Sequence, residues 1–178
     1  MSQSTTPSRS LSDLTELDQA AFVQYLDGIF EHSPWVAERS WNARPFNTVD
    51  ELHKQMLTVV DQASHEEQKA LICAHPELAG KEAEEGSLTA HSTGEQKGAG
   101  LDQCTVQELE RLRSLNTRYR ERFGFPFVIA VKGLTRHQIM DKVDARLNND
   151  TDTEFSACLQ EIGKIARFRL DALFASPN

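Results

Sequence analysis

Long apolar runs are missing from this 178-residue chain: none approaches the ~20 residues needed to cross a bilayer, and the opening residues lack the basic-then-apolar order of an export signal. Neither a membrane span nor export is expected. Positive charge is also scarce. The 19 Lys and Arg set against 27 Asp and Glu leave a net charge of −8, which opposes attraction to nucleic-acid phosphates and to anionic lipid. Cysteine is limited to Cys73, Cys104 and Cys158, an odd and scattered set without the C-x-x-C spacing of zinc or redox sites. Reduced thiols in a cytoplasmic setting are the simplest expectation, two of them in the core. The last residues, Ser176-Pro177-Asn178, do not spell the Ser-Lys-Leu address of the peroxisome.

What the chain does contain is helical periodicity. Its length suits one domain, large enough to bury roughly 70% of the surface its unfolded form exposes. Residues 1–12, rich in Ser and Thr with Pro7, are expected as a mobile tail, and residues 13–178 as a single all-α bundle. Phe22, Leu26, Ile29 and Phe30 share a helical face until Ser33-Pro34, and a short connection through Trp35 and Trp41 follows. Thr48 with Glu51, Ser64 with Glu67, and Thr105 with Glu108 are capping-box starts. They lead into Leu52-Met56-Val59-Val60, into Leu71-Ile72, and into Leu109-Leu112-Leu115-Tyr119-Phe123, the last run closing at Gly124. A final helix is expected over residues 153 to about 174. One stretch departs from the rule. Residues 125–131 are continuously apolar, include Pro126 and lie between Gly124 and Gly133, so an extended segment threaded through the core is expected. With no second strand in the chain, its amides need partners outside a sheet, and a bound ligand could supply them.

Several polar residues stand where chemistry is possible. His75 leaves a helix end at an angle fixed by Pro76; it reads either as a core histidine bonded to a carbonyl or as an acid–base group. Ser92-x-x-Glu95 has the form of a capping box, and a carboxylate in a first helical turn both caps the helix and can face a pocket. His91 and Glu95, four apart, could grip a metal together with His75, yet no further ligand has a recognisable spacing. Arg169 projects onto the apolar stripe of the last helix, so its guanidinium must meet a carboxylate of the protein or an oxygen of a ligand.

Four motifs in order extend this reading: His75-Pro76-Glu77-Leu78-Ala79-Gly80-Lys81; Ser92-x-x-Glu95-Gln96-x-x-Ala99-Gly100-Leu101; Phe123 to Ile129; and Glu161-Ile162-x-x-Ile165-Ala166-x-x-Arg169-Leu170. With them the chain resembles the 2-oxo-4-hydroxy-4-carboxy-5-ureidoimidazoline (OHCU) decarboxylase family over nearly its whole length after the tail. The family commonly has Asp after the His-Pro pair; Glu77 stands there here, with no catalytic consequence expected. The resemblance implies an all-α fold, a homodimer, no metal or organic cofactor, and decarboxylation of the ureidoimidazoline to (S)-allantoin in urate degradation. It carries catalysis onto His75 and Glu95. Substrate contacts fall on Pro76, Ser92, Gln96, Arg169 and the backbone of Phe127, Val128, Ile129, Ala130 and Val131. The competing readings are a non-catalytic helical binding module and a hydrolase of a neighbouring ureide step.

Overall fold

A computed structural model describes residues 10–175, and within them every regular element is helical. The chain divides by its contacts into two compact units, one of which runs to Ala63 and resumes at Ala166, while the other is Ser64–Ile165. The expected tail falls largely outside the described residues, as does the C-terminal tripeptide; Leu11 and Ser12, however, already belong to a helix.

In the first unit, α1 (Leu11–Thr15) starts on a reciprocal Ser10–Asp13 capping box, and α2 (Gln19–Tyr25) starts on Asp18. The run that periodicity extends to Ser33 stops at Tyr25. Gly28 at φ +80° and His32 at φ +46° turn the chain there, and a left-handed residue cannot continue a helix. The Trp35–Trp41 connection contains α3 (Trp35–Ser40) and a 3-10 turn, Trp41–Ala43. Six residues are too few for a periodic pattern to reveal. Next, α4 (Val49–Gln62) begins where Thr48 accepts from the Glu51 amide and buries Leu52, Met56, Val59 and Val60, as its stripe requires. Phe22 stacks on Phe46, with centroids 6.3 Å apart, and Leu14, Val36 and Leu52 of the same unit are fully buried. Each such side chain contributes about 1.5–3 kcal/mol on leaving water.

In the second unit, α5 (His65–Cys73) starts on the Ser64–Glu67 box, and α6 (Lys81–Glu85) ends on Gly86. Next come α7 (Ala90–Gly98) and α8 (Val106–Phe123), the latter closed by Gly124 at φ +83°. An extended stretch leads to α9 (Arg136–Arg146) and α10 (Thr151–Leu173), whose residues from Ala166 count with the first unit. Helix α9 carries seven strongly polar side chains around Ile139, Met140 and Val143, and so has no clean stripe in sequence. Of the cysteines only Cys158 is buried; Cys73, despite its apolar neighbours, faces outward at the end of α5. Tyr119 centres an aromatic cluster with Phe123, Phe125 and Phe127, at centroid distances of 4.6, 6.1 and 5.2 Å.

The cap of α8 also shifts acidity. The Thr105 amide, and after it the Arg136 guanidinium 2.9 Å away, hold the Glu108 carboxyl down at about 2. A depressed carboxyl stabilises the fold above its ordinary value, and that contribution is lost as pH falls through the folded value. The melting-temperature gap between wild type and Glu108→Gln should therefore be widest above about pH 5 and close towards about pH 2. A gap that stays constant across that range would show that the cap does not govern this titration.

Candidate active site

Pro76 disfavours helical backbone at the residue before it, and α5 ends with Ala74 as its C-cap and His75 at the exit. The imidazole folds back onto its own helix, with Nδ1 3.0 Å from the Leu71 carbonyl. A carbonyl only accepts, so Nδ1 carries the proton and, in the neutral ring, Nε2 carries the lone pair. His75 is buried. The loop beyond it is unusually bound for an irregular stretch. Ala79 sits at φ +50°, a conformation that costs a non-glycine residue on the order of 1 kcal/mol or more. Gly80 has no alternative, because a Cβ there would lie 2.9 Å from that of Glu77.

Side chains from α7 and α8 hold this loop. Gln96 accepts the Ala79 amide at 2.9 Å, and Asn116 donates to the Leu78 carbonyl at 2.9 Å. Arg113 reaches the Ala79 carbonyl at 3.4 Å, and Arg120 pairs with Glu77. Because Gln96 Oε1 takes the Ala79 amide, the orientation of its carboxamide is set, with the N–H donors at the opposite corner. Asn116 Oδ1 is buried without a partner among the described residues. A cavity of ≈ 300 Å³ opens against the loop, lined by Ala79, Leu88, Thr93, Gln96 and Arg113 among others; His75 and Glu95 are not in its lining.

Ser92, Glu95 and Gln96 all lie on α7, but the helix begins earlier than its Ser92–Glu95 pattern suggests. Thr89 is the N-cap and accepts from the Ser92 amide at 3.2 Å. Ser92 is thereby moved inside the helix, where it and Gln96, four apart, form the buried face beside a half-buried Glu95. Among the described residues, no three His, Cys, Asp or Glu side chains gather as a metal would require.

Residues 127–131 form no regular element, and side chains hold their backbone. Arg146 donates to the Val128 carbonyl at 2.9 Å, and Glu161 accepts the Ala130 amide at 3.0 Å. Arg146 is itself held by Glu154, 2.7 Å away and fully buried, which also accepts from Tyr119 at 2.6 Å and from Asn149 at 2.9 Å. Burial pushes both the Tyr119 hydroxyl and the Cys158 thiol upward, so both keep their protons. Sequence reasoning missed Glu154, although the signal was there: it stands four residues before Cys158 on the stripe that singles out Arg169. Asn116, four residues after Leu112 on the face of α8, is the same kind of signal.

Arg169 lies in the first unit and is 3% exposed. Its Nη1 meets Glu31, itself 1% exposed, at 2.9 Å, and donates to the Gly28 carbonyl at 2.7 Å. Both partners come from the turn that interrupts the expected first helix.

Residues 15–171 match the family model described as OHCU decarboxylase. A 2-oxo-4-hydroxy-4-carboxy-5-ureidoimidazoline decarboxylase of Haloferax volcanii is 42% identical over 167 residues, covering 94% of this chain and 97% of the relative. A uric acid degradation bifunctional protein of Bacillus subtilis is 43% identical over 161 residues, 90% of this chain; the chain spans only 32% of that protein's length. The crystal structure of an (S)-allantoin synthase matches with a TM-score of 0.75 at 30% identity, covering 93% of this chain and 54% of the other.

The Arg169–Glu31 pair yields a direct expectation for stability. Arg169→Met removes the guanidinium from a buried carboxylate and should cost about 3–5 kcal/mol, whereas replacing both partners by apolar groups need not. Urea unfolding should show Arg169→Met strongly destabilised and Arg169→Met/Glu31→Leu recovering most of the loss. A double variant as unstable as the single one would mean that the carboxylate is not what suffers.

Proposed function

The chain belongs to the OHCU decarboxylase family, and on that premise we propose that it converts 2-oxo-4-hydroxy-4-carboxy-5-ureidoimidazoline to (S)-allantoin with release of CO2. The observation that supports this most is the His75 ring, fixed through its Nδ1 at the head of a loop tied to Gln96. The carbon that loses CO2 bears a hydroxyl and adjoins a ring C=N. When its bond to the carboxylate breaks, the electron pair forms a double bond to the neighbouring carbon and the imine nitrogen takes up a proton. The hydroxyl then gives up its proton as the neighbouring carbon gains one, and the enol becomes the carbonyl of allantoin.

Because the substrate carries its own electron sink, the chain's side chains need only bind, orient and move protons. His75 handles the proton at the hydroxyl. Glu95 orients substrate N–H groups or the imidazole, and its negative charge near the scissile carboxylate favours CO2 loss. Pro76, Ser92, Gln96 and the backbone of residues 127–131 hold the oxygens of a small flat ligand; Arg169 is a further contact that the family resemblance implies. Protonation from one face gives the (S) product. A homodimer in the cytoplasm completes the reading, and no helix among the described residues is long and apolar enough to cross a membrane.

Circular dichroism of freshly generated substrate follows both turnover and the hand of the product. His75→Asn should lower kcat by at least ~10², the scale of a positioned acid–base group, with the fold retained. Near-wild-type turnover in that variant would remove His75 from the mechanism. The chemistry also requires that activity persist through EDTA treatment and dialysis, and activity restored only by one added metal would contradict it.

A further inference from the structure

Over residues 126–130, which form no helix, turn or bend, the backbone groups that side chains engage fall on alternate residues, and the Val131 carbonyl accepts the Leu134 amide in the turn that follows. The Pro126 carbonyl faces Cys158 Sγ at 3.8 Å, and the Val128 amide faces that same sulfur. The Val128 carbonyl takes Arg146, and the Ala130 amide takes Glu161. In extended chain, N–H groups two residues apart point the same way. Those of Phe127, Ile129 and Val131 therefore aim to the other side, and none of them has a hydrogen-bond partner among the described residues. All three residues are buried. Buried amides are almost always paired, so a row of such donors marks a surface built for acceptor oxygens.

What fixes this register is Arg146. Its Nε is bound by the fully buried Glu154, its Nη1 holds the Val128 carbonyl, and its guanidinium lies 4.3 Å over the Phe127 ring. Tyr119 and Asn149 fix Glu154 in turn. Serving a carboxylate and a carbonyl at once needs the planar fork of arginine; an ammonium offers no such fixed pair of directions. We propose that Arg146 is a positioning residue for the reaction: by holding the Val128 carbonyl it turns the Ile129 and Val131 amides towards the ligand. Two residues of extended chain place those donors roughly 7 Å apart. That spacing suits a ligand with two acceptor oxygens at opposite ends, such as carboxylate, ureido or ring carbonyl groups. The inference rests on the decarboxylase reading and extends it to a residue that acts through the backbone it holds.

The full chain, Arg146→Lys, and the cavity variant Met56→Ala in α4 provide the test, through melting temperature, kcat, KM and amide resonances with and without allantoin. Both variants should melt lower than wild type, but only Arg146→Lys should raise KM, by about tenfold or more, as expected for a displaced binding backbone. In wild type, allantoin should shift the Ile129 and Val131 amides far more than those of Val128 and Ala130, and in Arg146→Lys that contrast should collapse. Equal shifts of all four amides in wild type overturn the register whether or not the variant folds. An unchanged KM in folded Arg146→Lys, with active wild type, reduces Arg146 to a structural ion pair and overturns this inference alone. Wild type that neither turns over the ureidoimidazoline nor binds allantoin overturns the functional reading, and this inference falls with it.

Discussion

A buried stretch of backbone that belongs to no helix and no sheet must still find partners for its N–H and C=O groups, and in an all-helical protein no ladder supplies them. That constraint shapes the site. The loop after His75 and the segment at residues 127–131 are both buried and both irregular, and helices on either side reach in to bind them. Gln96 and Asn116 do so for the first, Arg146 and Glu161 for the second. His75 therefore stands at the head of a loop whose position is set by the side chains around it.

The two buried ion pairs follow the same plan in separate units. Arg169 binds the Glu31 carboxylate and the Gly28 carbonyl, and Arg146 binds the Glu154 carboxylate and the Val128 carbonyl. In each, one guanidinium neutralises a carboxylate and fixes a piece of irregular chain. Desolvating two charges gains little stability compared with an apolar pair of the same volume. The gain is directional: a fork of donors leaves few alternative positions for the backbone it holds. Arg169 shows how this bears on assigning roles. Its place on an apolar stripe demands a partner, and Glu31 answers that demand within the protein, so burial alone does not make it a ligand contact.

Much of the fold is legible from short-range rules. The capping boxes at Ser64 and Thr105, the Thr48 cap, the stop at Gly124, the break before Pro76 and the extended run after Gly124 each depend on residues within a few positions of one another. Local sterics and hydrogen bonds decide them before any packing occurs. The same rules bring out His75, Glu95 and Arg169, and the ordered motifs point to the family. They fail where a local pattern has a competitor or is too weak: Thr89 displaces Ser92 as the cap of α7, Gly28 interrupts the first stripe, and α9 is too polar to announce itself.

The sequence by itself determined that this would be a helical protein with one extended insert, and which polar residues stood on apolar faces. Only the tertiary structure decided who meets whom. Gln96 finds Ala79 across 17 positions, Arg146 finds Val128 across 18, Asn116 finds Leu78 across 38, and Arg169 finds Gly28 across 141. No periodicity or cap encodes such pairings, because they depend on which helix packs beside which. A stripe states only that a buried donor needs an acceptor; the folded chain brings the acceptor within 3 Å.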